Sequence, residues 1–228
     1  LVHGIVCIGN ESNNNNQHKE INMRILHLDT SAKVHGSHSR AISQQIVAKI
    51  VASGPKATVI RRDLGLETVP HLSEASLNAF FQDKSSWDEA AAKCSDFSMM
   101  LIEEVRQCDV VVLGVPMYNF GIPSALKAYI DHIVRVNETF QFTAAGPVGL
   151  LQGKQVIAGI TRGGSYSGSS SNHQETYLKT VLSFIGIEDV TFLVAENLAV
   201  PELAQRSLEE VRHAIEDLMM SAVLNPVT

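Results

Sequence analysis

The chain has 228 residues, 45% of them hydrophobic and 18% charged, with a formal net charge of −6. That is enough apolar material for one large α/β domain, and it excludes a globally disordered chain. An acidic balance with no long Lys/Arg block argues against nucleic acid or an anionic membrane as a partner.

Residues 1–22 read differently from the rest. The apolar run over 1–9 is too short to span a bilayer and lacks the basic start and cleavage site of a secretory signal. A polar tract from Ser12 to Gln17 follows, with no core-forming pattern. Residues 1–22 are expected to be a disordered extension or an upstream-start artefact, and 23–228 the folded domain. Cys7, Cys94 and Cys108 form no CxxC pair and suit reduced thiols in a cytoplasmic protein.

From Met23 onward, apolar runs alternate with amphipathic stretches. Residues 24–29 predict a strand, 30–39 a polar turn, and 40–52 a helix carrying Ile42, Ile46, Val47 and Ile50, stopped by Gly54 and Pro55. Residues 57–62 alternate as a second strand, and 64–86 form a polar connection with room for a short helix. A long helix is predicted over 87–107, with Phe97, Met100, Leu101 and Val105 on one face. The continuous apolar run 109–115 fits a strand buried on both faces. A helix over 123–136 with Pro123 at its first position comes next, then a hairpin-like excursion over 139–151. Strands at 155–161 and 190–195, helices at 175–185 and 201–220, and a Gly/Ser-rich segment over 162–172 complete the chain, with no internal repeat. The order predicts an α/β three-layer sandwich, a five-stranded parallel sheet with helices on both faces.

In such sheets ligands lie beyond the carboxyl ends of the strands, near the topological switch point. Three loops there stand out. Thr30, Ser31, Ser37 and Ser39 lead into a helix, where hydroxyls and N–H groups form either an anion site that needs no lysine or simply an N-cap and a polar turn. The segment with Met117, Tyr118, Asn119 and Phe120 puts two aromatics and a thioether straight after a buried strand, suited to covering a flat apolar ligand. Gly163 and Gly164 allow close backbone approach to a ring edge.

Competing motifs fail. The Gly149 to Gln155 stretch is one residue short of a P-loop and precedes a strand, and Tyr166 stands where a nucleophile elbow needs serine. His35 and His38 lack a third ligand, so no metal site is assigned. No G-x-G-x-x-G follows the first strand.

With these loops in view, the chain resembles the FMN-dependent NADH-azoreductase/NADH:quinone oxidoreductase family, which is flavodoxin-like. The resemblance is carried by PMYNFGIPSALKAYID from Pro116, the TS…SHSR start, TFQFTAAGPVGLLQGK from Thr139, TRGG from Thr161 and HQETYLKTVLSFIGI from His173. It implies FMN contacts at Ser31, Ser37, His38 and Ser39, ring contacts at Met117, Tyr118, Asn119 and Phe120, and edge contacts at Thr161, Arg162, Gly163 and Gly164. Phe120, Phe140, Phe142 and Tyr166 are expected to line the substrate pocket. The resemblance further implies a homodimer, NADH as electron donor, quinones and aromatic azo compounds as acceptors, and a ping-pong cycle. No catalytic acid or base is assigned, because the flavin carries the chemistry. The alternative is a non-enzymatic FMN electron carrier of the flavodoxin type.

Overall fold

The computed structural model describes residues 22–53 and 56–224. The reading of residues 1–21, and the helix stop at Gly54 and Pro55, lie outside the described residues. Chain order is β1 (Met23–Asp29), α1 (His38–Ser53), β2 (Ala57–Asp63), α2 (Glu74–Phe81), a 3-10 turn (Lys84–Ser86), α3 (Glu89–Gln107), β3 (Val110–Pro116) and α4 (Ser124–Ile133). There follow β4 (Phe140–Thr143), β5 (Gly146–Gly149), β6 (Gln155–Thr161), α5 (His173–Phe184), β7 (Asp189–Ala195) and α6 (Pro201–Leu224).

Five strands pair in parallel in the order β2-β1-β3-β6-β7, and β4–β5 form a separate antiparallel hairpin. Side chains alternate across the sheet. Val110 and Val112 of β3 join Ile25 and Ile157 beneath Ile42 and Ile46 of α1 and Val211 and Ile215 of α6. Val111, Leu113 and Val115 face the other way, against Leu101 of α3, Leu126 of α4 and Leu178 of α5. Both faces are covered, which is why β3 reads as an unbroken apolar run.

Two paired glycines bring α1 unusually close to the sheet. Gly114 of β3 lies in register with Gly159 of β6. A Cβ on Gly114 would sit 2.8 Å from the Ser39 carbonyl oxygen, and one on Gly159 would sit 2.5 Å from Ile42 Cγ2. The first turn of α1 is therefore held directly over the β1/β3 switch point.

Several boundaries differ from the pattern-based expectation, each for a local reason. α1 starts at His38, because Ala41 N–H donates to the Ser37 carbonyl and extends the helix two residues towards its N-terminus. α4 ends at Ile133 instead of 136, since the Thr139 hydroxyl accepts from Arg135 N–H and donates to the Ile133 carbonyl. Pro123 is the residue before α4, with ψ 143°, and not its first helical residue. α2 occupies the polar connection, where Ser73 and Ser76 cap each other. Asp88 caps α3, so that helix excludes Trp87.

Candidate functional site

The loops after β1, β3 and β6 meet. Tyr118 Oη lies 3.2 Å from Ser31 Oγ, and Met117 N–H donates to the Thr161 carbonyl at 2.8 Å. The Phe120 and Tyr166 rings meet edge to face, centroids 5.8 Å apart.

In the first loop, the leading bond of α1 runs from Ala41 N–H to Ser37, so the N–H groups of His38, Ser39 and Arg40 have no acceptor among the described residues. Ser39 is nonetheless fully buried, and its hydroxyl lies 3.1 Å from that of Ser37. The His38 side chain is exposed, leaving its backbone as the part turned to this anion cradle.

The residue that holds this loop is Arg40, which the sequence reading passed over. Its guanidinium makes a two-pronged pair with Asp63 at the end of β2. Two further N–H groups go to the Ser31 carbonyl at 2.7 Å and the Lys33 carbonyl at 3.1 Å. This pairing holds the Asp63 carboxyl below the usual carboxylate range. Beneath it lies Asp29, fully buried. Burial alone pushes the Asp29 carboxyl up, but hydrogen bonds from His27, Arg61 and Ser43 outweigh it and hold it far below the usual range. The signal was present as Arg40 directly after the serines and Asp63 closing β2, but pairing them requires the β1–β2 register.

The second loop is a tight turn. Tyr118 and Gly121 exchange both backbone hydrogen bonds at 3.0 Å, with Asn119 at φ 48° and Phe120 at φ 69°. Asparagine tolerates the left-handed region; phenylalanine there stores about 1–3 kcal/mol, a cost found at ligand clamps. The turn leaves the Phe120 ring half exposed and the Asn119 amide and N–H without partners among the described residues.

The third loop is a built edge and not a floppy connection. The carbonyls of Arg162, Gly163 and Gly164 accept from Leu198, Ala199 and Asn197, while the N–H groups of Gly163 and Gly164 have no acceptor among the described residues. Neither glycine has positive φ, so these positions matter for approach and not for a glycine-only conformation. The Arg162 guanidinium turns inward, 1% exposed, onto Gln174, Glu196, Asn172 and Glu175. Arg162 thus presents backbone only, and Glu196, just past β7, is a second residue the sequence reading missed.

Of the four expected pocket aromatics, Phe120 and Tyr166 come together. Phe140 and Phe142 do not join them. The hairpin follows the C-terminal end of α4 and packs at the end of α5, where Leu151 N–H donates to the Ile185 carbonyl, so it lies at the opposite end of the sheet. Phe140 is buried there against Phe184, centroids 4.5 Å apart, whereas Phe142 is 72% exposed. Phe140 is therefore a core residue of the hairpin base. Among the described residues no helix is long and apolar enough to cross a membrane.

FMN consists of a phosphate, a flat ring and a polar ring edge. The N–H groups without acceptors among the described residues, at the start of α1 and at Gly163 and Gly164, and the aromatic turn between them have the chemistry those parts require, so the residues fit the group.

A parallel sheet ordered in this way, with its ligand-facing loops at the β1/β3 switch point, defines a flavodoxin-like protein, and the family model described as the flavodoxin-like fold matches residues 23–219. The FMN-dependent NADH:quinone oxidoreductase of Ralstonia nicotianae is 42% identical over 206 residues, covering 88% of this chain and 99% of its own. FMN-dependent NADH:quinone oxidoreductase 3 of Pseudomonas aeruginosa is 40% identical over 198 residues, covering 85% and 93%. The solved FMN-dependent NADH-azoreductase of Bacillus anthracis in complex with FMN superposes with a TM-score of 0.75 at 26% identity, covering 86% of this chain and 99% of that one. Azoreductase AzrA superposes at 0.80 and 24% identity, covering 87% and 99%, a likeness of fold. The chain belongs to the FMN-dependent NADH:quinone oxidoreductase family.

Proposed function

We propose that this chain binds FMN across the three loops and uses NADH to reduce quinones and the azo bond of aromatic azo compounds. The observation that carries the site assignment is the convergence of two sets of N–H groups unpaired among the described residues, at residues 38–40 and 163–164, on either side of a strained aromatic turn. Ser31, Ser37 and Ser39 with the His38 backbone hold the phosphate. Residues 117–120 lie against the ring system. Thr161, Gly163, Gly164 and the Arg162 backbone meet its polar edge.

Bound FMN supplies the two-electron transfer between the nicotinamide and the acceptor. The protein's part is to orient and to exclude water. Phe120 and Tyr166, with their rings nearly perpendicular, flank one position beside the flavin that donor and acceptor would occupy in turn, and a single shared position supports a ping-pong order. No catalytic acid is assigned, and product protons are taken from water. The chain acts as a homodimer. Phe142, exposed on a hairpin remote from its own crevice, is the aromatic that completes the partner's site. Cys94 and Cys108, both unpaired, suit a cytoplasmic setting.

The test is FMN binding by equilibrium dialysis, followed by NADH oxidation with menadione. Stoichiometric FMN and direct turnover are expected. FMN binding without turnover would make the chain an electron carrier, and no FMN binding by folded protein would remove the reading altogether.

A further inference from the structure

The loop from residue 162 to 167 is held in two separate halves. Near the glycines, the backbone of 197–199 clasps the carbonyls of 162–164. Near Tyr166, the clasp is a side chain. One oxygen of Glu196 accepts the N–H of Tyr166 at 2.6 Å, the N–H of Ser167 at 2.9 Å and the Arg162 guanidinium at 2.9 Å. Its other oxygen receives the Ser165 hydroxyl at 3.3 Å, and its own N–H donates to Ser207 of α6. Among the described residues, Ser169 N–H to the Tyr166 carbonyl is the remaining backbone restraint on that residue.

This clasp has a consequence for the crevice. The Tyr166 ring stands between Gly164, whose Cβ position lies 3.3 Å from Tyr166 Cε2, and the Phe120 ring, at an interplanar angle of 85°. Both rings are partly exposed, so their contact is fixed from below by the Tyr166 backbone and not by enclosure.

Resting on the reading that FMN lies against residues 117–120 and 163–164, we propose that Glu196 is a positioning residue of the acceptor pocket. Its carboxylate locks Tyr166 edge-on to Phe120 and thereby sets the preference for fused or multi-ring aromatic acceptors over single-ring ones. Glu196 touches neither cofactor nor acceptor. Burial pushes its carboxyl up, but the Tyr166 N–H and the Arg162 and Ser167 bonds outweigh it and hold it below the usual carboxylate range, so the clasp is charged at neutral pH. Arg162 keeps Gln174, Asn172 and Glu175 when Glu196 is removed, so the fold beneath the loop survives the substitution.

The experiment measures FMN affinity by fluorescence titration, and KM and kcat for menadione and for para-benzoquinone. Wild type is compared with Glu196→Ala, Glu196→Gln, Tyr166→Ala and the double variant. An aromatic contact of this kind corresponds to a change of about three- to tenfold. Glu196→Ala is expected to raise KM for menadione by about that factor, with kcat and FMN affinity within about twofold and a smaller effect on para-benzoquinone. Glu196→Gln, which keeps an oxygen for the two N–H groups, restores most of the loss. In the Tyr166→Ala background, Glu196→Ala adds nothing, because its effect acts through that ring. If Glu196→Ala does not fold, the coupling is read with Glu196→Asp, one methylene shorter. Equal KM increases in both backgrounds, or an unchanged KM with wild-type FMN binding, would overturn the proposal alone. A wild-type chain that binds no FMN would overturn the flavin reading and the proposal with it.

Discussion

Replacing Gly114 by alanine tests whether the phosphate cradle depends on how closely α1 sits on the sheet. The new Cβ would lie 2.8 Å from the Ser39 carbonyl oxygen, about 0.6 Å inside the 3.4 Å of ordinary contact. Backbone cannot swing aside as a side-chain tip can, so the first turn of α1 must lift. Overpacking of this kind costs about 1–3 kcal/mol. For a domain of this size that lowers Tm by about 2–12 °C. The same lift misaligns the N–H groups of residues 38–40. Losing one charge-assisted hydrogen bond is worth about 1.5–3 kcal/mol, so FMN affinity falls by about ten- to a hundredfold. Gly159→Ala is the control: its Cβ meets Ile42 Cγ2 at 2.5 Å, a side chain one turn deeper. It should cost similar stability, read by thermal melts of the FMN-free protein, with little change in FMN affinity by fluorescence titration. Equal FMN affinities in the two variants would refute the argument that the seat of α1 builds the cradle.

Gly164→Val should weaken FMN binding while Ser170→Val, farther along the loop, leaves it intact; the cause is a branched side chain pressed against the Tyr166 ring and the flavin edge, as neither strain nor positive φ operates at Gly164. Phe120→Gly should stabilise the FMN-free protein by up to about 1 kcal/mol, since glycine accepts φ 69° without strain, yet lower kcat/KM for menadione through loss of the ring. Asp29 and Asp63 titrate below their unfolded values, so the stability they provide is complete above about pH 4 and is lost as pH falls through the depressed values. Asp63→Asn should therefore flatten the fall in Tm between about pH 4 and pH 2, and an unchanged acid slope would show that the Arg40 clasp is not what titrates.

The parallel sheet was legible because each buried strand announces itself. The runs at Val110 to Val115 and Val156 to Ile160 have no polar interruption, and the intervening helices repeat their apolar positions at helical spacing. The three loops of the candidate site were legible as compositions, Ser/Thr, aromatic and Gly, each after a strand. What composition does not carry is long-range pairing. Arg40 and Asp63 are distant in sequence, as are Glu196 and Tyr166, and both pairs form only once β2 lies beside β1 and β7 beside β6. The left-handed Phe120 was equally hidden, because phenylalanine does not signal positive φ. Phe140 and Phe142 share one face of β4 and meet edge to face, centroids 5.4 Å apart, but composition does not tell that this face lies at the hairpin base, with Phe140 buried on Phe184 and Phe142 open to solvent.

The most direct test of the central claim is an anaerobic stopped-flow measurement on the FMN-loaded protein. Mixing with NADH alone should bleach the flavin's visible absorbance fully and in a single turnover, and a second mixing with menadione, after NADH is exhausted, should restore it. Absorbance that stays unchanged until both substrates are present would contradict a shared site used in turn, and absorbance that never responds to NADH would contradict the assignment of the crevice as an NADH-dependent flavin site.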